Sequence, residues 1–306
     1  MGKVLEALKR AEQERTRDAL ATPPSSPVSV EPCPLIDEPP PLSDRPDFPE
    51  ATPIPGMAEA LVAYYEKTSL VSEQYRSLRT RLLSMNAAGE RQVIAITSAI
   101  PREGKSVTTL NVGCIMAEIR HHRVLMVDGD FRRSTLHKLL NLPSKPGLAE
   151  VLAGEARYED VIQATPLPNL FFIPAGSTKG RSAAELLSST ETRRLFRRMQ
   201  EEYHYTFVDT PPATTVTDAG IIGQMCSGVI VIVRLNYTHE STARTAVRLL
   251  QANNVPILGG LVIGRDRPHG GYGYGYGYGY GYGYYRPYHY YNDYYNDYYH
   301  DAKDPE

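Results

Sequence analysis

The chain has 306 residues, a formal net charge of −2, 22 tyrosines, six phenylalanines and no tryptophan. It has no apolar run of about 18 residues or more and no apolar stretch at its N-terminus, so we expect neither a spanning helix nor a secretory signal. Its three irregularly spaced cysteines fit a reducing compartment, and the near-neutral charge does not favour nucleic-acid binding.

The first part of the chain is compositionally biased. Residues 1–20 have the apolar spacing of a short helix, which could be solvated or could dock onto a partner. Residues 21–69 are predicted to be a disordered linker, because 12 of the 24 prolines fall between Pro23 and Pro55 and few apolar residues accompany them. The folded domain is predicted at residues 70–267, which is enough for one sizeable core.

Strand and helix signals alternate through this central region. The strands are continuous apolar runs rather than alternating ones, which is typical of a parallel sheet buried on both faces. The predicted fold class is therefore α/β, a doubly wound, mainly parallel sheet with helices on both faces. The predicted strands are Val93–Thr97, Val124–Val127, Leu170–Ile173, Tyr205–Val208, Val229–Val233 and Ile257–Ile263, and the longer helices are 106–118, 183–202 and 241–252.

A phosphate-binding loop (P-loop) is predicted at residues 98–106, SAIPREGKS, between a strand and a helix. In such a loop the backbone N–H groups and the helix N-terminus contact phosphates, Lys105 reaches the β- and γ-phosphates, and the Ser106 hydroxyl binds Mg²⁺. Ala99 replaces the usual glycine, which is tolerable if its φ stays negative. The predicted nucleotide-binding residues are Ala99, Pro101, Arg102, Glu103, Gly104, Lys105, Ser106 and Val107.

Three carboxylates follow two other strands. Asp128 and Asp130 come after the strand at 124–127, and Asp209 comes after the strand at 205–208. The carboxyl ends of parallel strands share one edge of the sheet, so these side chains should converge near the lysine and serine of the loop. Because three carboxylates would repel a triphosphate, a bound Mg²⁺ is implied. The predicted metal ligands are Ser106, Asp128, Asp130 and Asp209.

Three segments resemble the motifs of the bacterial tyrosine autokinases that regulate capsule and exopolysaccharide synthesis. The phosphate-binding loop resembles their Walker A motif, the strand end with Asp128 and Asp130 resembles Walker A′, and the strand end with Asp209 resembles Walker B. The discriminating element is the hhhDxDxR pattern at residues 124–132. The resemblance covers roughly residues 70–267. The tyrosine-rich C-terminus extends it, and the opening MGKVLEALKRAEQER is similar to the free-standing, cytoplasmic members.

This resemblance implies an ATP- and Mg²⁺-dependent transfer of the γ-phosphate to tyrosine hydroxyls. It implies that Asp128 is the base, or a metal-linked carboxylate that accepts the tyrosine proton, and that Arg132 positions phosphate or a neighbouring subunit. It also implies a membrane-embedded activator of the polysaccharide chain-length type, which would hold a cytoplasmic kinase at the inner membrane. The implied catalytic residues are Lys105, Asp128, Asp130, Arg132 and Asp209.

A subunit contact is predicted at Glu73, Arg76 and Arg79. Their spacing of three places them along one side of a helix, where ion pairing on a solvated face is the preferred interpretation of the pattern alone. The segment is also similar to the E-x-x-R-x-x-R motif through which members of the family assemble into a ring. The resemblance therefore favours a ring-like homo-oligomer.

The C-terminal segment, residues 268–306, is predicted to be disordered. Fifteen of the 22 tyrosines lie between Tyr272 and Tyr299, first in a Gly-Tyr repeat and then in a Tyr-Tyr-Asn-Asp repeat. The favoured interpretation is a set of autophosphorylation acceptors for a neighbouring subunit; an adhesive low-complexity segment and an inert tail are alternatives. The candidate acceptors are Tyr284, Tyr285, Tyr288, Tyr290, Tyr291, Tyr294, Tyr295, Tyr298 and Tyr299.

The alternative function is a ParA/MinD-like switch ATPase, which would phosphorylate nothing. Proteins of that type carry a signature lysine five residues before the P-loop lysine, and this position is Ile100 here, so the kinase is favoured. Gly264 stands where the kinase family often has an asparagine near the base, which leaves adenine recognition open.

Overall fold

A computed structural model describes residues 58–264, and seven strands in this part of the chain form one sheet in the order β3-β4-β2-β5-β1-β6-β7. Neighbouring strands are parallel except for β3, which runs antiparallel to β4. This arrangement confirms the predicted fold class. The strands are β1 (Gln92–Ser98), β2 (Val124–Asp128), β3 (Gln163–Ala164), β4 (Leu170–Ile173), β5 (Tyr205–Asp209), β6 (Gly228–Arg234) and β7 (Ile257–Ile263).

Helices cover both faces of the sheet. Helices α1–α4 pack on one face and α5–α9 on the other, and no helix within residues 58–264 is long and apolar enough to cross a bilayer. The helices are α1 (Val62–Tyr65), α2 (Leu70–Met85), α3 (Lys105–Ala117), α4 (Leu136–Leu140), α5 (Leu148–Leu152), α6 (Ala183–Leu187), α7 (Thr190–Glu202), α8 (Asp218–Gly223) and α9 (Glu240–Ala252). A 3₁₀ turn, Tyr158–Val161, follows α5.

The central strands are mainly apolar because both of their faces are buried. In β1, Val93 and Ala95 pack against α5–α9, whereas Ile94 and Ile96 pack against α1–α4. All four side chains are at most 2 % exposed. The strand period of two thus divides one continuous apolar run between two separate cores.

The predicted helix over residues 183–202 is wrong in one respect, because it is two helices. The Oγ of Ser189 accepts the Thr192 N–H at 3.1 Å and so caps α7. The Thr192 hydroxyl in turn donates to the carbonyl of Leu186 at 2.7 Å, which ties the new helix to the end of α6. Serine is a strong N-cap, and here its side chain competes with continuation of the helix.

The folded domain begins earlier than the sequence boundary at residue 70. Residues 58–69, which sequence analysis assigns to the linker, pack against α3, with Leu61, Ala63 and Tyr64 buried. Asn111 of α3 holds this segment: its side chain accepts the Ala63 N–H at 2.9 Å and donates to the carbonyl of Ala60 at 3.0 Å. Three predicted parts of the chain lie outside the described residues: the N-terminal helix at residues 1–20, residues 21–57 of the linker, and residues 265–306.

Replacing Asn111 by leucine should release residues 58–69 from the rest of the domain. The change leaves the buried Ala63 N–H without an acceptor, so we expect the free energy of unfolding to fall by about 2–3 kcal/mol. Urea denaturation measures the loss, and mass spectrometry of tryptic fragments should show faster cleavage after Lys67. Gln251→Leu on the exposed side of α9 is the control and should change neither quantity. Unaltered cleavage after Lys67 in the Asn111 variant would contradict this role.

Candidate active site

The predicted phosphate-binding loop lies between β1 and α3. Arg102 and Gly104 adopt left-handed conformations, with φ of 66° and 86°, whereas Ala99 is buried and is not left-handed. Helix α3 begins at Lys105 without a side-chain cap, so the N–H groups of its first turn can be offered to an anion. A Cβ at position 104 would lie 2.8 Å from Cδ1 of Ile263, so both the space and the conformation favour glycine there.

The sheet register brings the lysine, the serine and two carboxylates together. Asp128 and Asp209 are paired neighbours at the ends of β2 and β5. The Nζ of Lys105 lies 3.1 Å from Oδ2 of Asp130 and 3.2 Å from Oδ2 of Asp209. The Ser106 hydroxyl donates to the same oxygen of Asp209 at 2.5 Å. The convergence expected from the strand ends is therefore present in the structure.

Burial and mutual proximity shift the pKa values in this cluster. Burial lowers the pKa of Lys105, but the carboxylates of Asp209, Asp130 and Asp128 outweigh it and raise that pKa above its ordinary value. Burial raises the pKa of Asp209, and the Lys105 ammonium and the Ser106 hydroxyl only partly counter it. The ammonium thus stays charged and serves as the internal counter-ion of the carboxylates.

Asp128 organises the loop that follows β2. Its Oδ2 accepts the Ser134 hydroxyl at 2.9 Å and the N–H groups of Thr135 and Leu136, both at 3.1 Å. Its Oδ1 accepts the N–H of Asp130 at 3.2 Å. Four hydrogen bonds fill the acceptor capacity of one carboxylate. They favour a role in holding Asp130 in place over the predicted role as a base or metal ligand.

Asp209 has the free acceptor that a magnesium ion would use. Its Oδ1 is buried and has no hydrogen-bond partner, whereas Lys105 and Ser106 both contact Oδ2, so Oδ1 remains available to a bound cation. Residues 58–264 contain no group of three or more His, Cys, Asp or Glu side chains arranged to hold a metal alone. Mg²⁺ usually binds through one or two carboxylates together with phosphates and water, so Ser106 and Asp209 fit it as a partial set.

Arg132 is held by an acidic residue that the sequence did not reveal. Its Nε lies 3.5 Å from Oδ2 of Asp218 at the start of α8, and the Asp218 side chain is 1 % exposed against 29 % for Arg132. Burial raises the pKa of Asp218, while the guanidinium of Arg132 lowers it in part. The pairing ties the loop that carries both Asp130 and Arg132 to the start of α8.

Glu103 was predicted to contact the nucleotide, but its carboxylate faces the protein interior. It is fully buried, and Oε2 accepts the Ile100 N–H at 2.6 Å. Its other oxygen accepts the Thr238 hydroxyl and the Arg234 N–H. Burial raises the pKa of Glu103, and these donors counter the rise. Sequence spacing gave no sign of this contact, because it joins residues more than 130 positions apart.

The predicted subunit-contact residues make ion pairs within this chain. Arg76 pairs with Glu73 and, at 3.2 Å, with Glu118, which follows α3. Arg79 pairs with Glu118 at 2.9 Å and donates to the carbonyl of Ile115 at the same distance. Cations at a helix C-terminus are stabilising, so these arginines fasten α2 to α3. A contact between subunits stays a prediction, and the candidate acceptor tyrosines lie outside the described residues.

Stability without nucleotide or metal should depend on pH through the carboxylate cluster. Burial, Asp209 and Asp130 raise the pKa of Asp128 from 3.8 to about 7. The folded protein then holds a proton that the unfolded chain releases, so this group contributes most below about pH 4 and loses its contribution as the pH rises toward 7. Histidines with lowered pKa values, such as His122 and His204, act in the opposite direction.

Asp130→Asn separates the two effects, because it removes one neighbouring charge and leaves the histidines unchanged. We expect its loss of stability between pH 5 and pH 8 in EDTA to be smaller than that of the wild type by about 1 kcal/mol. Chemical denaturation at the two pH values measures the difference. Equal losses in both proteins would contradict the electrostatic account of the cluster.

The chain is similar to known proteins in both sequence and structure. The protein family described as an AAA domain matches residues 91–250. Tyrosine-protein kinase YwqD of Bacillus subtilis is 32 % identical over 219 residues, which are 71 % of this chain and 92 % of YwqD. The kinase domain of the Escherichia coli tyrosine kinase ETK superposes with a TM-score of 0.65 at 27 % identity, covering 71 % of this chain and 84 % of that domain.

Coverage of the relatives differs widely. Tyrosine-protein kinase ptk of Acinetobacter johnsonii is 34 % identical over 212 residues, but these are 69 % of this chain and only 29 % of ptk. The chain therefore spans less than a third of that relative and nearly all of the Bacillus one. The family match at residues 91–250 contains the phosphate-binding loop and both acidic strand ends.

Proposed function

We propose that this chain, which belongs to the family of bacterial tyrosine-protein kinases, transfers the γ-phosphate of ATP to tyrosine hydroxyls. The observation that carries the proposal is the convergence of Lys105, Ser106, Asp130 and Asp209 at the start of α3. The relatives that it matches are named tyrosine-protein kinases, and two of them are covered to 88 % and 92 % of their length.

The residues of the loop would bind and neutralise the phosphates. The N–H groups at the start of α3 offer a positive partial charge, and Lys105 can leave its two carboxylates to contact the transferring phosphoryl group. Ser106 and Asp209 would hold Mg²⁺, which supplies charge neutralisation when bound. Phosphoryl transfer needs little covalent help from the protein, so positioning and electrostatics would provide most of the rate.

Asp130 is the carboxylate that we place nearest the acceptor. A tyrosine hydroxyl has an ordinary pKa near 10, so its proton needs an acceptor close by. The hydrogen bonds of Asp128 commit its carboxylate to the loop, whereas Oδ2 of Asp130 faces the Lys105 ammonium. Asp128 would then be the residue that orients Asp130, and Arg132, paired with Asp218, would position phosphate or the incoming chain.

The proposed acceptors are the tyrosines between 284 and 299, presented to the active site of a neighbouring subunit in a ring-like homo-oligomer. Each phosphate adds about −1.5 to −2 charges at pH 7. Several of them near Asp293, Asp297 and Asp301 would repel one another and the carboxylates of the site. Phosphorylation should therefore dissociate the ring, and Glu73, Arg76 and Arg79 are the proposed contact between its subunits.

The proposed cellular role is control of capsule or exopolysaccharide synthesis and export. The kinase would act in the cytoplasm at the inner membrane, bound to a membrane-embedded activator of the chain-length-determinant type. Curated relatives matched by the chain include the putative tyrosine-protein kinase CapB of Staphylococcus aureus, which supports a kinase of this type and leaves the polysaccharide unspecified. The proline-rich segment before the folded domain is a candidate for the activator contact.

A phosphotyrosine assay tests the kinase against the switch ATPase. The purified full-length chain is incubated with labelled ATP and Mg²⁺, with and without the cytosolic segment of the activator. We expect phosphotyrosine to appear and to increase with the activator. ATP hydrolysis without phosphotyrosine under both conditions would overturn the kinase and favour a ParA/MinD-like switch.

A further inference from the structure

The phosphate-binding loop contains a buried carboxylate that the proposed mechanism does not use. Glu103 is fully buried. Its two neighbours in the chain, Arg102 and Gly104, both have left-handed backbones. Its Oε2 accepts the N–H of Ile100 at 2.6 Å, within the same loop. Left-handed residues other than glycine persist where their surroundings hold them, so the loop needs an external support.

The support comes from residues 234–238 at the end of β6, here called the clasp segment. The Thr238 hydroxyl and the Arg234 N–H both donate to Oε1 of Glu103, the latter at 3.4 Å. The Tyr237 hydroxyl donates to the carbonyl of Pro101 at 3.3 Å, and Nη1 of Arg234 donates to the carbonyl of Arg102 at 3.2 Å. The clasp segment thus contacts three consecutive residues of the loop.

We propose that Glu103 is a positioning residue that fixes the shape of the phosphate-binding loop by joining it to the clasp segment. The inference rests on the proposed nucleotide site and adds a residue to it. A carboxylate suits the task because its two oxygens accept from opposite sides at once, from Ile100 in the loop and from Thr238 outside it. A side chain without two acceptors would leave one of these donors unpaired.

The contact of Glu103 with Ile100 affects which backbone amides of the loop can bind phosphate. With Ile100 bonded to Glu103, the loop is tied at one end while the amides at the start of α3 stay available for phosphate. Without the carboxylate, the left-handed turn at Arg102 and Gly104 would lose its support and relax. The anion site would then no longer be preformed, and the loop would have to become ordered each time nucleotide binds. Affinity for nucleotide would fall because the ordering cost is then added to every binding event.

Binding of a fluorescent ADP analogue with Mg²⁺ to the full-length chain tests this proposal. We expect Glu103→Ala to weaken binding by about 10- to 100-fold, the effect of losing charge-assisted hydrogen bonds. Glu103→Gln, which keeps one acceptor, should lose less. Thr238→Val should weaken binding by about 3- to 10-fold, whereas Thr238→Ser keeps the hydroxyl and should bind within about twofold of wild type.

The controls separate positioning from folding. The control variant is Glu240→Ala, at the exposed start of α9 and two residues beyond the clasp segment. Glu240 pairs only with Arg244 among the described contacts, so this variant should keep the wild-type affinity. Melting curves show whether each variant is folded, and if Glu103→Ala is not, the two Thr238 variants decide. Wild-type affinity in folded Glu103→Ala, or equal affinities of the two Thr238 variants, would overturn the proposal. A wild-type chain that binds no ADP would instead refute the nucleotide site itself.

Discussion

Replacing Lys105 by methionine should abolish tyrosine phosphorylation, with a loss of at least about 1,000-fold in rate. The ammonium is the cation that lies among the site's carboxylates, 3.1 and 3.2 Å from Asp130 and Asp209. Its side chain is only 12 % exposed, so water screens its charge weakly and the charge acts strongly on the transferring phosphoryl group. Phosphotyrosine blotting of the purified variant with ATP and Mg²⁺ measures the loss.

The control must account for stability, because methionine leaves two buried carboxylates without their counter-ion. Breaking a buried ion pair costs about 3–5 kcal/mol, so Lys105→Met alone could lose activity by unfolding. The double variant Lys105→Met with Asp130→Asn removes part of the repulsion, and we expect it to melt closer to wild type while staying inactive. Labelling that survives in a folded Lys105→Met protein would show that the phosphate site lies elsewhere.

Deleting residues 270–306 should remove at least about nine-tenths of the incorporated phosphate while leaving ADP affinity unchanged. We expect this because the tyrosines of the folded domain are poorly accessible. The domain holds seven tyrosines, and all of them are buried or half-buried in the described structure. They are Tyr64, Tyr65, Tyr75, Tyr158, Tyr203, Tyr205 and Tyr237. An acceptor hydroxyl must reach a γ-phosphate in another part of the molecule or in another subunit, and side chains packed into the domain are poorly suited to this. Quantitative phosphotyrosine mass spectrometry measures the difference.

A mixing experiment shows whether the transfer is between chains. The truncated protein has an intact site and no C-terminal acceptors, and the Lys105→Met protein has the acceptors and no functional site. We expect the Lys105→Met chain to become labelled only when the truncated chain is present. Undiminished labelling of the truncated chain alone would rule out the C-terminal tyrosines as the main acceptors.

The central sheet and the convergence of the site could be predicted because they depend on local patterns. Apolar runs marked the strands, and parallel strands place Asp128, Asp130 and Asp209 at one edge whatever the details of packing. The helix break at Ser188–Ser189 was not predicted, because the apolar spacing continues through it. The Ser189 side chain nevertheless caps a new helix there. Recognition of the serine as an N-cap would have predicted it.

The supporting contacts of the site could not be predicted because they join distant residues. Thr238 reaches Glu103 from 135 positions away, and Asp218 at the start of α8 pairs with Arg132 in the loop after β2. Residues 58–69 have the composition of a linker, and their order depends on Asn111 in a later helix. Such contacts follow from the three-dimensional arrangement, and no spacing in the chain encodes them.

The position at which the chain leaves the domain has a kinetic consequence. Strand β7 ends at Ile263, whose side chain packs against Gly104 of the phosphate-binding loop. Tyr284 follows Gly264 by twenty residues, a reach of at most about 70 Å when extended. The proposed acceptors would therefore be tethered at a high local concentration near their own site and near that of any adjacent subunit. Within an assembled ring the rate per chain should be independent of protein concentration, whereas transfer between dispersed chains should be second order.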